Sequence, residues 1–160
     1  MDFIVALPHT SKCYNSIWVI VDRLTKSAHF LPMDTRYSAR KYAKLYLDRI
    51  VTLHRVPLTI VSDRGTAFVS RFWEQLQECL GTSLLRSLAY HPQTDSQTER
   101  VNQVLEDMLR ACAISFPEKW DECLTLAEFS YNNSDQESIR MAPFETLYGK
   151  KCRTPLNWLK

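Results

Sequence analysis

Short β-prone runs separated by polar turns occupy the first third of the chain. The runs are rich in Ile, Val, Phe and Leu, and the residues between them are turn-forming or charged. Three strands are therefore predicted, at 3–7, 16–21 and 28–31. Because the connections between them are short, we expect the strands to form an antiparallel meander.

A helical pattern follows the third run. From 38 to 54 apolar residues recur at a spacing of three to four, behind Ser38, a residue type that caps helices. Pro57 marks the exit from this helix, and an apolar run at 58–61 predicts a fourth strand. A helix between two strands indicates a crossover connection.

The second half of the chain is mainly helical. A second helix is predicted after Asp63 from Phe68, Phe72, Leu76 and Leu80, and it ends at Gly81. A short strand is predicted at 83–87. The remaining helices are predicted at 97–113, 118–132 and 143–147. Strands and helices in this order are typical of an α/β fold, in which a mixed sheet is covered on both faces.

The helix at 97–113 has the clearest two-sided pattern. Its core side is predicted to carry Val101, Val104, Leu105, Met108 and Cys112. The opposite side is predicted to carry Glu99, Gln103, Glu106 and Arg110. Glu99 is therefore expected to face away from the core.

Composition narrows the class of protein without naming a function. The chain has 160 residues, 45% hydrophobic and 24% charged, which favours one folded domain over a disordered chain. No apolar run is long enough to span a bilayer, so no membrane partner is expected. A net charge of +2 is compatible with nucleic-acid binding but does not predict it.

The five cysteines form no C-x-x-C pair and have no zinc-type spacing. We interpret them as reduced thiols. Since the start of the chain also lacks the pattern of a signal peptide, an intracellular, non-secreted protein is expected.

Three carboxylates carry the chemical prediction: Asp2, Asp63 and Glu99. Residues 64–98 separate the last two, and each acid lies on a different predicted element. Gathered at one point, such carboxylates form an all-oxygen site for Mg²⁺ or Mn²⁺, which can support phosphodiester chemistry. Other interpretations remain open, because Asp63 is also suited to cap a turn or helix, and 96–99 also reads as a capping box.

Four ordered motifs place these acids in a wider pattern, which covers essentially the whole chain. They are V-D-R-L-T-K at 21–26, V-S-D-R-G-T at 61–66, A-Y-H-P-Q-T-D-S-Q-T-E-R at 89–100 and M-A-P-F-E-T-L-Y-G at 141–149. Together they closely resemble the integrase catalytic core of gypsy-type LTR retrotransposons. The resemblance implies an RNase H-like fold, with a five-stranded mixed sheet and helices on both faces. It also implies a single domain over 1–160, truncated at its amino-terminal edge and ending in a basic tail at 150–160.

The resemblance assigns roles to the three acids. Asp2, Asp63 and Glu99 match the family's catalytic acids and would hold two Mg²⁺ or Mn²⁺ ions, with Asp22 as the alternative first acid. Ser96 stands where the pattern usually has Gly, and Arg55 stands where the family often has Gly before Val-Pro. Neither departure removes a predicted ligand.

The implied activity is a metal-dependent polynucleotidyl transferase that trims the 3′ ends of element DNA and joins them into target DNA. No ATP is required, and the chain has no Gly-rich phosphate loop. The implied partners are element and target DNA and further copies of the chain, and the implied location is nuclear as well as cytoplasmic. Residues expected to contact DNA are Tyr90, His91, Gln93, Thr98, Arg100 and Gln103.

Two other functions fit the same residues. The first is an inactive or domesticated integrase remnant that binds nucleic acid or dimerises without chemistry. The second is a ribonuclease H that cuts RNA in a hybrid, because the same fold and acids serve that reaction.

Overall fold

A computed structural model describes residues 1–62, 66–81, 96–113 and 117–153, with the backbone alone at 66, 96–99, 111–113 and 117. The strands are β1 (Asp2–Ile4), β2 (Ser16–Val21) and β3 (Ala28–Met33). The helices are α1 (Ala39–Tyr46), α2 (Thr52–His54), α3 (Thr66–Leu80), α4 (Ser96–Ala113), α5 (Trp120–Asn132) and α6 (Pro143–Tyr148). A π-helical segment, Leu47–Val51, joins α1 to α2, and a 3₁₀ turn, Pro117–Lys119, precedes α5.

The three strands form an antiparallel sheet in the order β1-β2-β3. Asp2 lies opposite Val19, and Val19 lies opposite Phe30 on the other side. The predicted meander is therefore confirmed, although β1 ends at Ile4 and not at position 7. Ala6, just beyond it, has a φ of 61°, a left-handed backbone that does not continue a strand.

Alternation along β2 divides the core into two layers. Trp18 and Ile20 pack with α1 and α3, through residues such as Tyr42 and Phe72. Ile17 and Val19 pack on the other face with α4 and α5, against residues that include Val101, Leu105, Leu109, Trp120 and Leu124. Since successive side chains of a strand point to opposite faces, one buried strand supports helices on both sides.

The outer edge of β3 is covered by side chains of α5. Asn132 accepts a hydrogen bond from the backbone N–H of Ala28 at 2.9 Å and donates one to its carbonyl at 2.8 Å. Glu128 accepts from the N–H of Phe30 at 2.9 Å. These side chains satisfy backbone groups that a further strand would otherwise pair with.

The helix predictions hold closely. Ser38 caps α1 and accepts from the N–H of Lys41, and α3 ends before Gly81, whose φ of 65° suits a residue without Cβ. On α4, Val101 and Leu105 are buried, Val104 and Met108 are half-buried, and Gln103, Glu106 and Arg110 are exposed. Leu109 is also buried and was not included in the predicted core side. Among the described residues, no helix is long and apolar enough to cross a membrane.

The predicted strand at 58–61 is not confirmed, because the structure assigns no strand to the backbone there. Leu58 is 84% exposed, and among the described residues the Val61 carbonyl accepts a hydrogen bond from the Met1 amino group. The predicted strand at 83–87 lies outside the described residues. Within the described part of the chain the sheet has three strands, so five strands remain a prediction.

Candidate active site

Asp2 lies at the beginning of β1 and is half-buried. Its Oδ1 accepts a hydrogen bond from the backbone N–H of Phe3 at 2.7 Å, and its Oδ2 accepts one from the side-chain amide of Asn102 on α4. A carboxylate oxygen has room for a second partner. Both oxygens of Asp2 therefore remain suitable as ligands for a hard cation.

Asn102 is a candidate site residue that sequence reasoning missed. Its Nδ2 donates to Asp2, while its Oδ1 is buried and has no hydrogen-bond partner among the described residues. A buried polar oxygen without a partner is costly, and a cation or a bound water would satisfy it. Position 102 follows Glu99 by three residues, close to one turn of the same helix, and this spacing was the available signal.

The amino end of β1 contacts the segment that leads to Asp63. The Met1 amino group donates to the Val61 carbonyl at 2.7 Å, and both residues are buried. Ser62, the next residue, is 3% exposed. Asp63 itself lies outside the described residues, one position further along the chain.

Glu99 lies in the first half of α4, and its side chain is outside what the structure describes. Asp2 is thus the one predicted ligand with a described side chain. Within residues 1–62, 66–81, 96–113 and 117–153, no group of three His, Cys, Asp or Glu is gathered around a metal-sized space. The predicted set Asp2, Asp63 and Glu99 therefore stays a prediction.

The oxygen atoms that the described residues offer as ligands fit Mg²⁺. The Asp2 carboxylate and the Asn102 amide oxygen are both hard oxygen ligands, the type that Mg²⁺ and Mn²⁺ prefer.

Asp22, the alternative first acid, is engaged in a different role. Its carboxylate accepts hydrogen bonds from the N–H groups of Leu24 and Thr25 and from the Thr25 hydroxyl, at 3.2, 3.3 and 2.7 Å. Burial opposes ionisation of Asp22, but the hydrogen bonds from Thr25 and Leu24 outweigh it and hold its pKa below the ordinary value. The described geometry makes Asp22 the capping residue of the turn between β2 and β3.

The predicted DNA-contacting residues fall into two groups. Tyr90, His91 and Gln93 lie outside the described residues, and Thr98 is described by its backbone alone. Arg100 and Gln103 are exposed on α4, and an Arg100 Nη atom lies 3.5 Å from Glu137 Oε2. These two side chains extend from the same helix as Asn102, within three positions of it.

The architecture is that of integrase catalytic cores, an RNase H-like fold. The HTLV-2 integrase catalytic core domain, solved with magnesium in a trimeric form, matches with a TM-score of 0.62, 18% identity and coverage of 90% of this chain and 92% of that one. The catalytic core domain of BIV integrase matches with a TM-score of 0.60, 21% identity and coverage of 91% of both chains.

The chain is also similar in sequence to a transposon polyprotein. The chain is 36% identical over 148 residues to the transposon Tf2-3 polyprotein of Schizosaccharomyces pombe, which covers 92% of this chain. It spans only 11% of that relative's length. No family model matches the chain. Over most of its length the chain is therefore similar to one part of a transposon polyprotein, and its fold is the one seen in integrase catalytic core domains.

Proposed function

We propose that the chain is the catalytic core of a polynucleotidyl transferase that trims the 3′ ends of element DNA and joins them into target DNA, with Asp2, Asp63 and Glu99 as its catalytic acids. One observation carries the proposal: Met1, directly before β1, donates a hydrogen bond to Val61, and the Asp2 carboxylate accepts one from Asn102. Val61 precedes Asp63 by two residues, and Asn102 follows Glu99 by three. Residues close in sequence to Asp63 and Glu99 therefore contact Met1 and Asp2, at the amino end of β1.

The chain's own residues contribute binding and orientation. Asn102 and the N–H of Phe3 hold the two oxygens of Asp2 in fixed directions, which lowers the cost of ordering a ligand carboxylate. Bound Mg²⁺, held by Asp2, Asp63 and Glu99, would offset negative charge on the reacting phosphate and activate a water or a DNA hydroxyl. The magnesium complex of the HTLV-2 core supports this choice of metal.

Arg100 and Gln103 extend the same surface for DNA. Arg100 is exposed and interacts with Glu137 at 3.5 Å, a long surface pair that a DNA phosphate would readily displace. The proposal includes assembly into a homo-oligomer in the nucleus, and the dimeric and trimeric forms of the HTLV-2 core support the oligomer.

The test is reversal of strand transfer on a branched DNA oligonucleotide with Mg²⁺ or Mn²⁺. The parent chain should resolve the branch, and Asp63→Asn should abolish product while its unfolding transition stays intact. Asp48→Asn is the matched control, because it removes the same charge from an exposed position between α1 and α2. This segment packs on the face of the sheet opposite α4. The control should retain full activity.

Two outcomes would overturn the proposal. Equal activity of the Asp63→Asn variant would exclude Asp63 as a ligand. DNA binding by the parent chain without any metal-dependent product would favour the inactive remnant.

A further inference from the structure

A cluster of polar side chains lines part of a cleft of about 390 Å³. The walls of the cleft are mostly apolar and come from the end of β2, the helix from α1 to α2, and the segment 57–61. Asp22, His29 and His54 line it together with Arg23 and Arg55. None of these side chains contributes to the proposed chemistry of Asp2, Asp63 and Glu99.

The His29 imidazole contacts the Glu128 carboxylate through its Nδ1 atom. Its Nδ1 lies 3.0 Å from Glu128 Oε1, and the other oxygen of Glu128 accepts from the Phe30 N–H at 2.9 Å. Since an ionised carboxylate only accepts hydrogen bonds, Nδ1 of His29 carries the proton. In the neutral ring Nε2 is then the nitrogen with a free lone pair.

That lone pair points at a second imidazole. His29 Nε2 and His54 Nε2 are 2.7 Å apart, and the ring centroids are 4.9 Å apart. A metal-binding imidazole usually donates its other ring N–H to a carboxylate, as His29 does to Glu128, and His54 would supply a second imidazole ligand. The two histidines come from separate elements, β3 and α2, so the backbone fixes each independently.

The charges that line the cleft around the two histidines are mixed. The carboxylates of Asp22 and Glu128 favour a cation here, whereas Arg23 and Arg55 at the cleft oppose it.

We propose that His29 and His54 form a transition-metal site, in which their Nε2 atoms chelate one ion such as Zn²⁺ and water completes its coordination. Imidazole pairs prefer Zn²⁺, Ni²⁺ or Cu²⁺ over Mg²⁺, so this site is chemically distinct from the acid site at β1. The proposal assigns no ligand role to Asp22, whose Oδ2 accepts two hydrogen bonds from Thr25 and whose Oδ1 accepts one from Leu24.

The geometry requires a small adjustment. Two nitrogens bound to a tetrahedral ion at about 2.0 to 2.1 Å lie about 3.3 Å apart, so the present 2.7 Å separation must widen by about 0.6 Å. His54 is free to make this movement, because it is exposed and is the last residue of α2.

The experiment is a Zn²⁺ titration of the full, reduced chain near neutral pH, followed by NMR of the histidine ring nitrogens. Up to one equivalent of Zn²⁺ should shift the Nε2 signals of His29 and His54, and excess Mg²⁺ should not reverse the shift. His54→Ala should lose the response, and Glu128→Gln should weaken binding by about tenfold or more. His9→Ala is the matched control, because His9 is exposed and lies outside this cleft.

Two results would overturn the site. The first is a titration of the parent chain in which only thiols, His9 or His91 respond to Zn²⁺. The second is an affinity in His54→Ala equal to that of the parent, which would leave the His29–His54 contact as a hydrogen bond alone. The NMR readout on the parent chain decides the question even if a variant folds poorly.

Discussion

Asn102 on α4 donates its side-chain amide to the carboxylate of Asp2 on β1, across 100 positions of sequence. This bond fixes the helix that contains Glu99 against the strand that contains Asp2. It also leaves the Oδ1 of Asn102 buried without a partner among the described residues. In the proposed metal site, Asn102 is therefore expected to position the Asp2 carboxylate.

Replacing Asn102 with Ala should reduce metal-dependent strand transfer by about 10–100-fold, the usual effect of removing a partner of a ligand. The Mg²⁺ concentration that gives half-maximal activity should rise, because Asp2 loses its orientation. Both quantities are measured on the branched oligonucleotide.

Glu106→Ala provides the comparison for Asn102→Ala, since Glu106 is exposed on the same helix. It should leave the Mg²⁺ dependence unchanged. An Asn102→Ala variant with normal Mg²⁺ dependence and a lowered unfolding midpoint would show that the bond only stabilises the fold.

The elements that the sequence predicted best are those with a strong local signal. The continuous β-prone apolar run at 16–21 and the helical spacing of apolar residues in 97–113 predict β2 and α4 almost to the residue. The segment 58–61 has the composition of a strand, but among the described residues it pairs with no strand. Its Val61 carbonyl accepts a hydrogen bond from Met1. A strand forms where a neighbouring strand pairs with it, and the composition of a segment does not show whether such a partner is present.

Contacts between distant segments were harder to predict. Asp2 could be proposed from the family resemblance, but its bond to Asn102 depends on how α4 packs on the sheet. The pair of His29 and His54 likewise comes from two elements and has no sequence motif. Such contacts can be recognised only once the fold is known, because residues so far apart along the chain produce no periodic sequence signal.

Asn132 should be among the most sensitive positions for stability. It is 1% exposed and makes two hydrogen bonds to the backbone of Ala28. Asn132→Ala leaves a buried N–H and a buried C=O of Ala28 without partners, so the free energy of unfolding should fall by about 2–4 kcal/mol.

Urea unfolding measures the effect of Asn132→Ala. Asn133→Ala is the control at the next, half-buried position, and its effect should stay within about 0.5 kcal/mol. If both variants unfold at the same urea concentration, the edge of β3 does not depend on the Asn132 amide.

Arg55 has a strained backbone, with φ 72° and ψ 176°, a region that glycine alone occupies readily. Its N–H still donates to the Val51 carbonyl at 3.0 Å, and glycine would preserve that bond. Arg55→Gly should therefore stabilise the fold by about 1–2 kcal/mol, as measured by urea unfolding.

Arg55→Ala separates backbone strain from loss of the side chain. Alanine keeps the Cβ that causes the strain, so this variant should gain little or nothing. Equal stabilisation by Ala and Gly would instead mean that the Arg55 side chain itself is unfavourable at the cleft.

The ion pair of Asp34 and Arg36 should make stability depend on pH in the acid range. The Arg36 guanidinium and backbone N–H both donate to the Asp34 carboxylate, with distances of 2.6–3.2 Å, and they hold its pKa well below the usual range. Because the folded pKa lies below the unfolded value of about 3.9, the ionised carboxylate stabilises the fold above that pH. This contribution is lost progressively as the pH falls below the unfolded pKa toward the folded one.

Asp34→Asn should lower the unfolding midpoint at neutral pH, and the difference from the parent chain should shrink as the pH falls below about 4. Thermal unfolding at a series of pH values measures this convergence. Asp135→Asn, at an exposed position, should show no such trend. A difference between Asp34→Asn and the parent that stays constant into the acid range would assign the effect to hydrogen bonding independent of charge.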